Sequence, residues 1–366
     1  MSVAGVNVLH VLGGTQLEGG TADVVTRLAR LELPGVTQRI WMQRDFVPGT
    51  GGKSFVCAGA ATQVNGSMIH DALASWREAR ALTAWLKHER RTVLHAHSRV
   101  GMVAASLAGR RQRTPVLMHC HFLPKRPTIY HWLRRYCGGE WIFNSPKTCR
   151  HFGAVPENSF ILYPDVEWPN APMPRGGGRL RFVAAGAFVP GKHLEVLIGA
   201  FRRWSAGGGN AELALFGRSP APANPAYQCT IELACAGDSA ITLHNWAADW
   251  AQTLTQDDVL VHLGQPESFG LVILEAFARG CRVVVLPRTF LDELPAPQRQ
   301  AGVFRAEALD AASVATALAE AAQSREAAEL LWAQRRAAQG FFCMAQHAAR
   351  LSSCYARLAR ATDDPR

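Results

Sequence analysis

Short apolar runs alternate with longer amphipathic ones along this chain, and the alternation happens twice. In the first half "VNVLHVL" reads as a buried strand, "TADVVTRLARL" as a helix and "DALASWREARALTAWLKHE" as a longer helix. Then "RTVLHAHS" reads as a strand, "GMVAASLAGRR" as a helix, and "TPVLMHCHF" and "GEWIFNS" as strands. Alternation at this spacing predicts βαβ units and a parallel sheet. The stretch from Glu167 to Gly178, "EWPNAPMPRGGG", is rich in Pro and Gly, carries little apolar content and reads as a linker. Beyond it the pattern restarts. "RLRFVAAGAF", "AELALFG", "AITLHN", "DVLVHLG" and "RVVVLP" read as strands, "KHLEVLIGAFRRW" and "FGLVILEAFAR" as helices, and the tail from Ala308 to Arg360 as Ala-rich helix. The expected class is α/β: two doubly wound domains, with ligand in a crevice between them at the carboxyl ends of strands.

Bulk properties allow this and exclude others. A chain of 366 residues can bury two cores, and 48% hydrophobic with 19% charged residues is a folded composition. No apolar run is long enough to span a bilayer. The start, "MSVAGVNVLHVLGG", lacks a basic leader region and reads as a first strand. Nine cysteines without CxxC spacing suit reduced thiols in a cytoplasm. The net charge of +10 sits in the first 165 residues, which hold 20 Lys/Arg against 10 Asp/Glu, whereas the remainder balances at 19 against 19. From Arg110 to Arg150 nine basic residues face one acid, with aromatics interleaved. This is either a solvated helix face or a surface for an anionic partner such as lipid headgroups or a phosphorylated acceptor. No recognition motif accompanies the charge, so nucleic acid is not expected.

The segment "GQPESFGLVILEAFARGCRVVV" raises the functional question. Glu275 sits among Val272, Ile273, Leu274 and Phe277, where a carboxylate is costly to dehydrate unless something pairs with it. Glu267 precedes it by eight positions, a rise of roughly 12 Å in a helix, which is a loose measure because Glu267 reads as part of the loop before the helix. Read with "VAAGAFVPGKHLEVLIGAF", the segment resembles the family 4 glycosyltransferases, retaining enzymes of the GT-B fold. Their pattern of two glutamates separated by seven residues appears as Glu267 and Glu275, with "FG" soon after the first. "GGTADVVTRLARL", "VLHAHSRVG", "TPVLMHCHF" and "FGAVPENSFILYPDVEWP" are similar to family elements in the same order.

The resemblance implies two Rossmann-like domains facing across a cleft. The acceptor-side domain would be 1–166, the linker 167–178 and the nucleotide-sugar domain 179–342, with a helix in 343–366 crossing back to the first domain. It further implies that Glu275 binds the donor ribose, that Glu267 and His121 position the sugar, and that Lys192 stabilises the leaving diphosphate. Asn245, in "HNW", would seat the base. Backbone amides of Gly19, Gly20, Phe269, Gly270 and Leu271 would donate to diphosphate or sugar oxygens, with Gly270 allowing close approach. One departure stands out: Ala187 occupies the position of the family's arginine, leaving Arg218 and Arg288 as candidate substitutes. "PRTFLDELP" also lacks a glycine pair common there.

"HAH" and "HCH" each place two histidines on one strand face. No acidic cluster or DxD motif accompanies them, so no metal is expected and the reaction reads as metal-independent. His95 and His119 read as satisfied core histidines, and the resemblance places His97 near the acceptor. The implied activity is retaining transfer of a hexose-like sugar from a UDP- or GDP-sugar, without a further cofactor, to a glycan or lipid-linked acceptor hydroxyl. The expected setting is bacterial polysaccharide, glycolipid or lipopolysaccharide synthesis, in the cytoplasm or peripherally on the inner face of its membrane through the basic 110–150 region. The alternatives are a non-catalytic nucleotide-sugar-binding protein, suggested by Ala187, and a GT-B epimerase.

Overall fold

The computed structural model describes residues 5–13, 19–46, 54–60, 68–153, 155–174, 176–247, 249–324 and 326–360. Along the first half run β1 (Val6–Val11), α1 (Gly20–Ala29), β2 (Val36–Gln43), β3 (Phe55–Gly59), α2 (Met68–Leu86), β4 (Thr92–Ala96) and α3 (Arg99–Gln112). Next come β5 (Val116–Cys120), α4 (Thr128–Cys137), β6 (Glu140–Phe143), α5 (Pro146–Phe152) and β7 (Phe160–Ile161). The second half holds β8 (Arg181–Ala185), α6 (Leu194–Ala206), β9 (Glu212–Arg218), α7 (Pro225–Cys235), β10 (Ile241–Asn245), β11 (Asp258–His262), α8 (Leu271–Ala278) and β12 (Arg282–Val285). It continues through α9 (Ala296–Gln300), β13 (Val303–Arg305), α10 (Ala311–Gln323) and α11 (Ala328–Arg336), and the chain closes with α12 (Ala348–Arg360).

The chain divides into two compact units, one of Met1–Asp165 with Cys343–Arg366 and one of Val166–Phe342. Each is built on a wholly parallel sheet, in the order β3-β2-β1-β4-β5-β6-β7 in the first and β10-β9-β8-β11-β12-β13 in the second. Both are doubly wound. The strand order reverses between β1 and β4 in one and between β8 and β11 in the other, and ligands of such sheets gather at those points.

Continuous apolar runs make the central strands. Every residue of β4, β5 and β11 is buried, as a sheet covered on both faces requires. Local signals set the helix ends: the Ser98 hydroxyl accepts from Gly101 N before α3, Asn224 caps α7 ahead of Pro225, and Asp310 caps α10. In the first unit α12 closes the core. Its Tyr355 is fully buried, Arg350 covers the Phe160 ring at 4.3 Å, and Arg357 pairs with Glu140. Each Leu or Phe so buried contributes about 1.5–3 kcal/mol.

The sequence reading passed over β2, β3, β7, β13 and the helices α4, α5, α7 and α9. The tail expected as Ala-rich helix is broken: 3-10 turns at Gln339–Phe342 and Met344–His347 separate α11 from α12. The reason is packing, since Phe342 and Met344 turn inward there and are nearly fully buried. Among the described residues, no helix is long and apolar enough to cross a membrane.

Candidate functional site

The second unit gathers charge where its sheet order reverses. After β8 the chain enters a 3-10 turn, Pro190–Lys192, and after β11 it runs through Gly264 to Gly270 before α8. Gln265 N donates to Gly191 O at 2.9 Å and ties the two loops together. Lys192 Nζ then lies 2.9 Å from Glu267 Oε2, and His262 Nε2 meets the same oxygen at 3.2 Å. Lys192 and Glu267 keep 27% and 22% of their side chains in solvent, whereas His262 is buried. Burial alone would raise the Glu267 carboxyl, but the His262 hydrogen bond and the Lys192 charge outweigh it and hold the group well below the usual range. Burial lowers His262, so the ring is neutral near pH 7 and donates from Nε2.

The two glycines here have definite reasons. A Cβ on Gly264 would stand 2.7 Å from His262 Nε2 and 3.3 Å from Glu267 Oε2, so the close approach of backbone to the pair requires glycine. Gly270 takes φ 92 at the N-cap of α8, the left-handed region that glycine enters without strain.

Glu275 resolves the question posed by its apolar neighbours. In α8, Ile273, Leu274, Ala276, Phe277 and Ala278 are buried, whereas Leu271, Val272 and Glu275 form a half-buried stripe. Its Oε2 accepts from the Trp250 indole at 2.8 Å. The Trp250 ring lies 6.4 Å from that of Phe216, and Phe216 stacks on His244 at 4.4 Å and 13°. Asn245 follows at the end of β10 and lines a cleft of about 420 Å³ with Arg218, Ser219 and Gln228. The carboxylate and the expected base-binding strand are thus joined by two aromatic rings.

The other end of α8 is held by Arg335. Fully buried, it donates to the carbonyls of Phe277, Cys281 and Ala301 at 3.3, 2.6 and 2.8 Å, and its guanidinium covers the Phe277 ring at 4.3 Å. Burial brings its pKa down to about 10, so it remains a cation.

The remaining expected residues take definite places. Lys192 and Glu267, assigned to separate parts of a ligand, touch each other. Glu267 lies in the loop, as expected, and α8 begins at Leu271, so its distance from Glu275 is not set by helical rise. Lys192 precedes α6 in a 3-10 turn rather than opening the helix. The Phe269 ring faces inward, 4% exposed and stacked on Phe290 at 4.5 Å, so only its backbone can meet a ligand. Ala187 is exposed, and its candidate substitute Arg218 spends its charge on Glu232 at 2.8 Å. Arg288 holds φ 69 on an exposed turn closed by Asp292. Trp250, His262 and Arg335 escaped the sequence reading, although His262 ends the strand run "DVLVH" five residues before Glu267.

In the first unit Gly19 is the N-cap of α1 and Gly20 its first residue, with no atom of the described residues within 4 Å of where a Gly19 Cβ would stand. His121 follows β5 and is 8% exposed. Four more histidines, His10, His95, His97 and His119, are fully buried beside it. His10 was missed, although its position in "VNVLHVL" places it in β1 in register with His95. His95 is satisfied at Nδ1 by the Tyr355 hydroxyl, 2.8 Å away, but its Nε2 has no partner among the described residues. His119 has none of ordinary geometry at either nitrogen. The satisfied core histidine is therefore half right for His95 and wrong for His119.

Two family models match the chain. Glycosyltransferase Family 4 matches residues 37–157 and Glycosyl transferases group 1 matches 179–324. The chain belongs to the family 4 glycosyltransferases. The fold of this glycosyltransferase is GT-B, and solved structures share it along nearly the whole length. HepE from Anabaena in complex with UDP-glucose superposes with a TM-score of 0.74 at 15% identity, covering 95% of this chain and 99% of its own. Sucrose-phosphate synthase from Thermosynechococcus elongatus gives 0.72 at 16%, covering 98% and 100%. The lipopolysaccharide outer core galactosyltransferase WaaB gives 0.62 at 12%, covering 94% and 99%. At such identities the likeness carries the fold alone. No curated protein matches the glycosyltransferase sequence.

Proposed function

We propose that the protein is a retaining glycosyltransferase that takes a hexose from a UDP- or GDP-sugar and passes it to an acceptor hydroxyl in a bacterial surface glycan or glycolipid. The observation that carries this reading is the Lys192–Glu267–His262 cluster at the point where the second sheet reverses its strand order. The UDP-glucose complex of HepE, a protein of the same fold, is consistent with a sugar nucleotide as donor.

Each residue has a chemical task. The Lys192 ammonium has three donors, one of them committed to Glu267, so it can bridge that carboxylate and a diphosphate oxygen and meet the charge of the departing group. Glu267, kept ionised, accepts from hydroxyls of the donor sugar, and His262 fixes its orientation. Glu275, aligned by Trp250, accepts from the ribose, and Asn245 with the exposed edge of β10 meets the base. Amides of Gly270 and Leu271 at the start of α8, and of Gly19 and Gly20 at the start of α1, supply further donors. By resemblance to the family, His121 is assigned to the donor sugar. The protein supplies orientation and charge; the acceptor hydroxyl enters on the leaving-group face and passes its proton to a diphosphate oxygen.

The acceptor is lipid-linked. Support comes from α4, whose exposed side carries Ile129, Trp132 and Tyr136 at 51%, 60% and 39% exposure beside exposed Lys125, Arg126 and Arg135. Aromatic and basic residues on one helix face suit an anionic membrane surface, at about 1 kcal/mol per cation. Co-sedimentation with phosphatidylglycerol vesicles at low salt tests this: the wild type binds, Trp132→Ala with Arg135→Glu binds less, and no wild-type binding refutes it. Donor hydrolysis across a panel of nucleotide sugars tests the activity. Turnover of one UDP- or GDP-sugar supports transfer. Binding without hydrolysis or transfer across a broad acceptor screen supports the non-catalytic reading that Ala187 suggests, and release of an epimerised sugar supports an epimerase.

A further inference from the structure

The histidines packed beside β1, β4 and β5 form a group that the proposed transfer uses only through His121. Hydrogen bonding fixes their protons. The Gln38 amide nitrogen donates to the carbonyls of Leu28 and Leu31 at 3.0 and 2.7 Å, so its oxygen is the atom facing His10 Nε2 at 3.0 Å. His10 therefore carries its proton on Nε2 and offers the Nδ1 lone pair to His97 Nε2, 3.0 Å away. His97 then donates from Nε2, which leaves its Nδ1 without a proton, 3.1 Å from His121 Nε2. Burial lowers all five imidazoles, His10 to about 4 and His121 to about 3, so each is neutral near pH 7.

His119 breaks the chain. It is fully buried, and neither ring nitrogen has a partner of ordinary hydrogen-bond geometry among the described residues, the Leu162 backbone being the one group near enough to favour its charged form. An orphaned buried polar group costs about 1–3 kcal/mol. One nitrogen each from His97, His119 and His121 lies within 4.8 Å of the others. Three imidazoles bound to one ion at about 2.0–2.1 Å stand roughly 3.4 Å apart, so a small contraction brings them onto a common centre.

We propose that His97 Nδ1, with one nitrogen each of His119 and His121, binds a single divalent transition-metal ion. Imidazole donors select zinc, cobalt, nickel or copper over magnesium and calcium. The surroundings fit: His97 passes its other N–H to His10, and His10 passes its own to Gln38, the outer hydrogen bonding that orients metal-bound histidines. The position fits as well, at the carboxyl ends of β4 and β5, beside the reversal of strand order between β1 and β4. Three neutral donors leave the ion's charge uncompensated, so its fourth ligand is an anion such as hydroxide. The other compact trio, His10, His95 and His97, loses out because His10 is committed at both nitrogens and His95 Nδ1 to Tyr355. The group contains no carboxylate and differs from a DxD centre for chelating diphosphate.

Metal-stripped protein titrated with Co²⁺ tests this without any activity assay. The expected result is one equivalent bound with visible d–d absorption, displaced by Zn²⁺, and a melting temperature higher in Zn²⁺ than in chelator. His119→Leu and His121→Ala each weaken binding at least 100-fold. His119→Leu melts no lower than the wild type in chelator, because an apolar side chain replaces an unsatisfied ring. Absence of d–d bands, or Co²⁺ uptake unchanged in His119→Leu, or a melting temperature indifferent to Zn²⁺, overturns the proposal and leaves an ion-free stack of imidazoles.

Discussion

The two units place different chemistry at the same topological position. Between β8 and β11 the loops present an ammonium and a carboxylate, each about a quarter open to water, with a buried histidine behind them. Between β1 and β4, and on into β5, the matching position holds neutral imidazoles closed off from solvent. One sheet topology supports both because strands fix only where chain segments end, while the residues at those ends decide the chemistry. A half-buried ion pair with an open side can share its ammonium with an anionic ligand, since the ammonium keeps donors that the carboxylate does not use. A dry cluster of uncharged donors suits a ligand that removes orphaned polar atoms.

The contrast can be broken from the charged side first. Glu267→Ala leaves Lys192 and His262 without their shared acceptor. Turnover should fall about 10²–10³-fold with a smaller change in donor KM, as for loss of one transition-state contact; wild-type kcat contradicts the role. Next comes Arg335→Leu, which strips four carbonyls of their donor. It should cost about 3 kcal/mol in urea unfolding, with the loss expressed around α8 in hydrogen exchange rather than around α12; unchanged stability contradicts the account. Gly264→Ala pushes a methyl group toward His262 Nε2. Donor KM should rise several-fold while the thermal midpoint moves little, and an unchanged KM means that His262 does not position Glu267. The smallest effect concerns pH. Because the folded Glu267 pKa is depressed, its contribution is complete above the ordinary carboxylate range, about 4.3, and is lost only as pH falls through the lower folded value. Donor affinity should therefore show no Glu267 titration from pH 8 down to about pH 5, and a carboxylate inflection in that window contradicts the pairing.

The architecture was legible because period and burial agree. "TVLHA", "VLMHC" and "DVLVH" are apolar runs with flanking turn signals, and each is a buried parallel strand. Strand β2 was missed because its first half is only partly buried and its polar residues mask the period, and α4 because its exposed face carries aromatics and arginines. The spacing of Glu267 and Glu275 was visible in the sequence, but their partners were not. Trp250 lies 25 residues from Glu275, and Lys192 lies 75 from Glu267. Contacts at such separation exist only through the sheet. His10 joins His97 across 87 residues for the same reason, and no local pattern announces that.

The central claim is that Glu275 on its half-buried stripe grips a sugar nucleotide. Calorimetric titration of UDP-glucose and GDP-mannose against the wild type and Glu275→Ala tests it most directly. The account predicts saturable binding of at least one donor, weakened about 10–100-fold by the substitution, as expected for losing a hydrogen bond to a charged group. Equal affinities in the two proteins, or no donor bound by the wild type, would contradict it.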